Sequence, residues 1–180
     1  MQRRILIIGS SLLYSKIFGS PSKNVRVGII GNKERLLHLS RRMPNVYGTI
    51  VISGWLNKDS IEEDIVVNIL HDPHCPIIGT DDRESVREHL MRLGCHAVYS
   101  KLEIAEQSYS ILELWCNLLK RSQKEPGELC RIVTEKAAQL QITFVGALDT
   151  ISDEIEEDKI TRDNEIILAA SLRSGYNEYS

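Results

Sequence analysis

Few side chains in this 180-residue sequence are grouped as a reactive centre requires. His71 and His74 in HDPHC stand close enough to share a zinc ion, but no second pair of ligands follows at the spacing a closed tetrahedral site needs. They fall in a helix-to-strand turn with Pro73, and no metal is expected there. Cys75, Cys95, Cys116 and Cys130 lack CxxC spacing and lie within or beside regular elements, which reads as buried free thiols in a reducing compartment. VRVGIIGNKERLL carries Gly28 and Gly31 between a strand and a helix, yet neither GxGxxG nor GxxxxGK[ST] occurs. Gly31 is read as permitting a tight strand-to-helix turn. No Ser/His/Asp or Cys/His arrangement stands out. The most ordered grouping is residues 80–101, TDDRESVREHLMRLGCHAVYSK, where Asp81 and Asp82 precede a helix and Lys101 closes a short strand.

Elements must hold these groups in place, and composition allows them. The chain is 42% hydrophobic, enough for a core, and its net charge of -3 argues against a bulk basic surface for nucleic acid. Arg35, Arg41 and Arg42 form a small basic cluster read as a solvated surface. The opening MQRRILIIGSS has an apolar run too short for a signal peptide or a membrane span, so it is a buried strand and the location is expected to be cytoplasmic. The length suits one domain of about 120 to 150 residues with an appendage.

Short Ile/Val-rich runs at residues 4–8, 25–30, 49–53, 76–79 and 97–100 suit strands buried on both faces. Between them lie helical patterns at 12–18, 34–43, 59–70, 83–93 and 103–119. The last places Ile104, Ile111, Leu112, Trp115, Leu118 and Leu119 on one stripe. Five β-α units in this order predict a flavodoxin-like (βα)5 doubly wound parallel sheet, order 2-1-3-4-5. SQKEPG at 122–127 is a boundary, giving a domain over 1–121 and a helical extension over 122–180. Within the extension, 128–141 is an amphipathic helix and 142–145 a short strand or turn. The acidic run DEIEED at 153–158 is read as a solvated linker or helix start. A final helix over 162–173 is closed by Gly175 as a C-cap signal.

GCHAVYSK resembles the fourth-helix to fifth-strand segment of response-regulator receiver (CheY-like) domains, which typically runs Gly-Ala-x-x-[aromatic]-x-x-Lys. The resemblance covers residues 3 to 121 and implies a phosphorylation pocket. Carboxylates after the first strand would hold Mg²⁺, an aspartate after the third would take the phosphoryl group, and a hydroxyl and a lysine would contact it. In this chain the acidic pair falls on Gly9 and Ser10 and the acceptor on Ser53. The hydroxyl falls on Thr80, or on Gly79 by an ungapped count from the lysine, which is Lys101. Three carboxylates are absent, so the resemblance is to a pseudo-receiver with a degenerate pocket, no catalytic residue, no metal and no cofactor. Serine cannot simply replace the aspartate, since no base stands by to activate it. Asp81 and Asp82 are read as cap and helix-dipole partners. The aromatic switch position holds Val98, with Tyr99 one residue along on the opposite face.

What such a domain retains is its surface. The resemblance implies a dimer face on the fourth helix, fifth strand and fifth helix, here Arg83, Arg87, Glu88, Arg92, Tyr99, Glu103, Ile111 and Trp115. The expected role is phosphorylation-independent signalling in an atypical response regulator of transcription, acting through a homodimer and other regulatory proteins. KITRDNEIILAASLRSGYNEYS is similar to the opening of a helix-turn-helix domain, whose recognition helix would lie beyond Ser180. DNA would be met only through an output domain not complete in this sequence. The competing reading is an α/β enzyme that binds a nucleotide or small ligand.

Overall fold

A computed structural model describes residues 3–9, 11–19, 24–31, 33–40, 47–53 and 63–178. Strands β1 (Arg4–Ile8), β2 (Arg26–Ile30), β3 (Thr49–Ser53), β4 (Ile77–Thr80) and β5 (Ala97–Tyr99) form one parallel sheet in the order β2-β1-β3-β4-β5. Helices α1 (Ser11–Phe18), α2 (Lys33–Ser40), α3 (Glu63–His71) and α4 (Glu84–Leu93) make the crossovers, and α5 (Ile104–Ser122) follows β5. This is the flavodoxin-like topology expected from the alternation of runs. The reason is visible in burial: β3 and β4 are buried at every residue and β1 at four of five, whereas edge strand β2 alternates exposed and half-buried residues until the buried Ile30.

Local chemistry ends the elements where the sheet needs them to end. Gly94 closes α4 in the left-handed conformation (φ 118°), and Cys95 N–H returns to the carbonyl of Leu90 at 3.1 Å. The chain is thereby turned straight into β5, where His96 N–H donates to the Ile77 carbonyl at 2.8 Å. Helix α5 buries Ile104, Ser108, Ile111, Leu112, Trp115 and Leu118 on the face toward the body.

After a turn at Gln123, α6 (Pro126–Leu140) begins with proline in its first turn, and α7 (Phe144–Glu178) follows. The core is continuous through this turn: Leu129, Cys130 and Val133 of α6 and Phe144, Ala147, Leu148 and Ile151 of α7 join the same buried cluster as the sheet. Three expectations for the extension are corrected. Residues 142–145 form no strand, because Thr143 starts α7, its hydroxyl accepting the N–H of Gly146 at 3.0 Å. The acidic run is no linker: residues 153–158 lie inside α7, where Glu154 pairs with Lys136 at 2.7 Å and Glu156 with Arg121 at 3.4 Å. Gly175 likewise sits within the helix and does not cap it.

Leu148 is fully buried where α7 meets the body. Leu148→Ala is expected to cost about 2 to 5 kcal/mol. Because the core is continuous, urea transitions followed by tryptophan fluorescence and by far-UV circular dichroism should shift together. Two separated transitions would show that the extension unfolds alone.

Candidate functional site

The carboxyl ends of the strands bring Gly9, Ser53, Thr80 and Lys101 to one rim, where open parallel sheets place their ligands. The register sets Ile8 beside Ile52, Ser53 beside Thr80 and Thr80 beside Tyr99. Ser10 lies outside the described residues, as do Arg41 and Arg42.

The space between Gly9 and Ser53 is occupied by Tyr14, a fully buried ring from α1 that the sequence did not single out. A Cβ on Gly9 would lie 2.7 Å from Cε2 of that ring and 2.9 Å from the Ser53 Cβ. Residue 9 is therefore glycine for steric reasons, and a carboxylate cannot stand there while the ring remains. Burial pushes the Tyr14 hydroxyl above its ordinary pKa against a smaller opposing pull from Ser53, and the charges of Asp81 and Asp82 add to the rise. Both Tyr14 Oη and Thr80 Oγ1 are buried without a hydrogen-bond partner among the described residues. Leaving such groups unpaired is costly, so close packing has prevailed over polar satisfaction here.

The two acids beside the pocket are engaged elsewhere. Asp81 is almost fully buried, and its carboxylate accepts the Arg83 backbone N–H at 2.9 Å, Arg83 Nε at 2.9 Å and Arg83 Nη2 at 3.1 Å. The Arg83 side-chain hydrogen bonds, against some desolvation, hold the Asp81 pKa below the usual carboxylate range. Asp82 accepts the backbone N–H of Lys101 at 3.0 Å, which ties the β4 and β5 ends together. Arg87 Nη1 donates to the carbonyls of Asp81 and Asp82, each at 2.8 Å. One acid thus acts through a fork and a turn and the other through a strap.

On the expected dimer face the residues divide. Glu88, Arg92 and Glu103 are exposed, and Tyr99 is half-buried with its hydroxyl pKa raised by burial and then by Glu103. Arg83 and Arg87 face their own loop. Ile111 and Trp115 are corrected: at 1% and 0% exposure they belong to the core, since the α5 stripe that carries them is the stripe packed on the body. Leu102, 96% exposed, and Met91, 46% exposed, were missed although both adjoin the same face.

At the other end of the sheet a cleft of about 660 Å³ lies between the α3–β4 turn and α6, lined by His71, His74, His96, Cys130 and Arg131 among others. His96 Nδ1 accepts the Ile77 N–H at 2.9 Å, and its ring stacks on Phe144 with centroids 4.3 Å apart. Burial lowers its pKa to about 4. Cys75, Cys95, Cys116 and Cys130 are free thiols, and burial pushes Cys95 and Cys130 up to about 12, which makes them poor nucleophiles. Among the described residues no three His, Cys, Asp or Glu side chains are grouped to hold a metal ion, and no helix is long and apolar enough to cross a membrane.

No family model matches this chain, and no curated protein does. Solved structures do resemble it. A fusion carrying part of the trimeric coiled coil of yeast Spc42 aligns at 14% identity over 78% of this chain and 96% of its own, with a TM-score of 0.52. A response regulator receiver protein from Pseudoalteromonas atlantica aligns at 12% over 61% of this chain and 97% of its own, TM-score 0.48. The RcsB response regulator of Salmonella typhimurium aligns at 14% over 87% and 90%, TM-score 0.46. The first likeness is one of fold alone, and no functional argument rests on the other two.

Two outcomes are expected. Gly9→Asp should destabilise the chain by about 2 kcal/mol or more in urea unfolding, through overpacking and a buried charge. The same change in a Tyr14→Ala background should cost measurably less; equal costs would show that the ring does not fill the site. His96 stays neutral in the fold down to about pH 4, whereas in the unfolded chain it binds a proton near its ordinary value of 6.5. Below pH 6.5 the unfolded state therefore gains the extra proton, so stability falls as pH drops from 6.5 to 4, by about 3 kcal/mol in all. Unfolding free energies across that range should lose this slope in His96→Asn, which keeps an acceptor for the Ile77 N–H.

Proposed function

We propose that this chain is a non-catalytic, phosphorylation-independent receiver-like signalling domain that works through protein–protein contacts within an atypical regulator of transcription. The observation that carries this reading is the Tyr14 ring packed on Gly9 and Ser53. An acyl-phosphate switch needs carboxylates and a divalent cation at that place, and here an aromatic side chain occupies it. The fork from Arg83 to Asp81 supports the same conclusion, because it withdraws the nearest buried acid from the pocket.

The division into a receiver-like body over residues 1–121 and a helical extension over 122–180 belongs to this proposal, as do a cytoplasmic location and self-association. Regulatory partners would meet the exposed remainder of the α4–β5–α5 face, where Met91, Arg92, Leu102 and Glu103 combine apolar and charged contact. Contact with DNA would be made by an output domain and not by this body.

Incubation with acetyl phosphate and Mg²⁺, followed by intact-mass analysis, should add no phosphoryl group to the chain. Stoichiometric labelling at any single residue would overturn the reading.

A further inference from the structure

From residue 160 to residue 174 every residue of α7 is exposed, including Ile160, Ile166, Ile167, Leu168 and Leu172 at 53 to 66%. Large apolar side chains held open to water on a helix gain by burial against a partner. The face it would offer can be traced from the body outward. Ile151 is buried and Ile155 half-buried against the core, and steps of three, four and seven residues carry that same face on through Arg162, Ile166, Ala169 and Arg173. Glu165 and Leu172 flank it.

This face is complementary to itself in one direction only. Glu165 and Arg173 stand symmetrically about Ala169, four residues to either side, and neither makes an ion pair among the described residues. Running two copies antiparallel about Ala169 sets each Glu165 against the Arg173 of the other, and Ile166 against Leu172. The small Ala169 side chains at the centre let the helices approach closely. A parallel pair would instead put acid against acid and base against base. About 20 Å of helix separates Ile155 from Ala169, so the two folded bodies stay about 40 Å apart along the pair and do not collide. Ile160 and Ile167 lie on the opposite side of the helix and take no part.

We propose that α7 pairs antiparallel with α7 of a second copy of this chain, centred on Ala169 and registered by reciprocal Glu165–Arg173 ion pairs. This goes beyond the functional reading and is independent of the pocket: phosphoryl labelling would leave it standing, and its failure would leave the pocket as described.

The test is light scattering of the full chain over a dilution series, for the native protein, E165R, R173E and the doubly swapped E165R/R173E. All the changes are at exposed positions, and circular dichroism checks that each variant keeps its helix content. Native and doubly swapped chains should dimerise with similar dissociation constants. Each single swap should weaken the dimer about tenfold, through two like-charge contacts. An equimolar mixture of E165R and R173E should recover native affinity, because acid then meets base at both sites. A native chain monomeric throughout would overturn the proposal and give α7 to a heterologous partner. A dimer indifferent to the single swaps, or a double swap as weak as the singles, would overturn it equally.

Discussion

The central strands are buried on both faces, and most of this molecule's behaviour follows from that constraint. Ile5 to Ile8 of β1 and Ile50 to Ile52 of β3 have no solvent-facing side, so polar chemistry can stand only where the strands run out. At that rim a receiver-type switch would need several buried oxygens satisfied by a cation. This chain meets the same packing demand by laying an aromatic ring over a glycine. The cost is a pair of buried hydroxyls without partners among the described residues, Tyr14 Oη and Thr80 Oγ1. On the function proposed, a site whose charge could change gives way to one that stays packed. On that proposal, signalling through such a body falls to its surfaces.

The same economy explains the loop after β4. Asp81 and Asp82 read in sequence as cap and helix-dipole partners of α4. Arg83 is the N-cap and has no side-chain cap hydrogen bond, and both acids instead hold the backbone geometry that joins β4 to α4 and β5. With one acid locked to Arg83 and the other strapped to the Lys101 amide, the rim is fixed from two sides. Lys101 stands at the same rim, where its charge helps Arg83 to hold the Asp81 pKa down.

Much of the fold could be read from residues alone because burial on both faces writes itself as continuous Ile/Val runs. The limits of β1 and β3 were legible to the residue, while β4 slipped by one because Pro76 and Thr80 both suit a strand end. Helix α7 was the main failure. An acidic run and a glycine suggested breaks, whereas ion pairs to Lys136 and Arg121 and the burial of Ile151 hold one helix through them. The Thr143 hydroxyl before an apolar stretch was the available start signal. That Gly9, Ser53 and Lys101 lie at the strand ends was legible through the resemblance to receivers. Tyr14 was not, since only the folded path of α1 shows that its ring covers Gly9. Ile111 and Trp115 were read as core and as interface at once, and one helix stripe cannot serve both.

On the function proposed, the Tyr14 ring fills the pocket and no cation binds there. The most direct test of this claim is a titration of the isotope-labelled chain with Mg²⁺, followed through the backbone amide resonances. With the Tyr14 ring in place, the amides of Gly9, Ser53, Thr80 and Lys101 should stay where they are as Mg²⁺ is raised. A saturable, concerted movement of those four resonances would contradict the claim, because it would mean that the ring yields and oxygen ligands close on the ion.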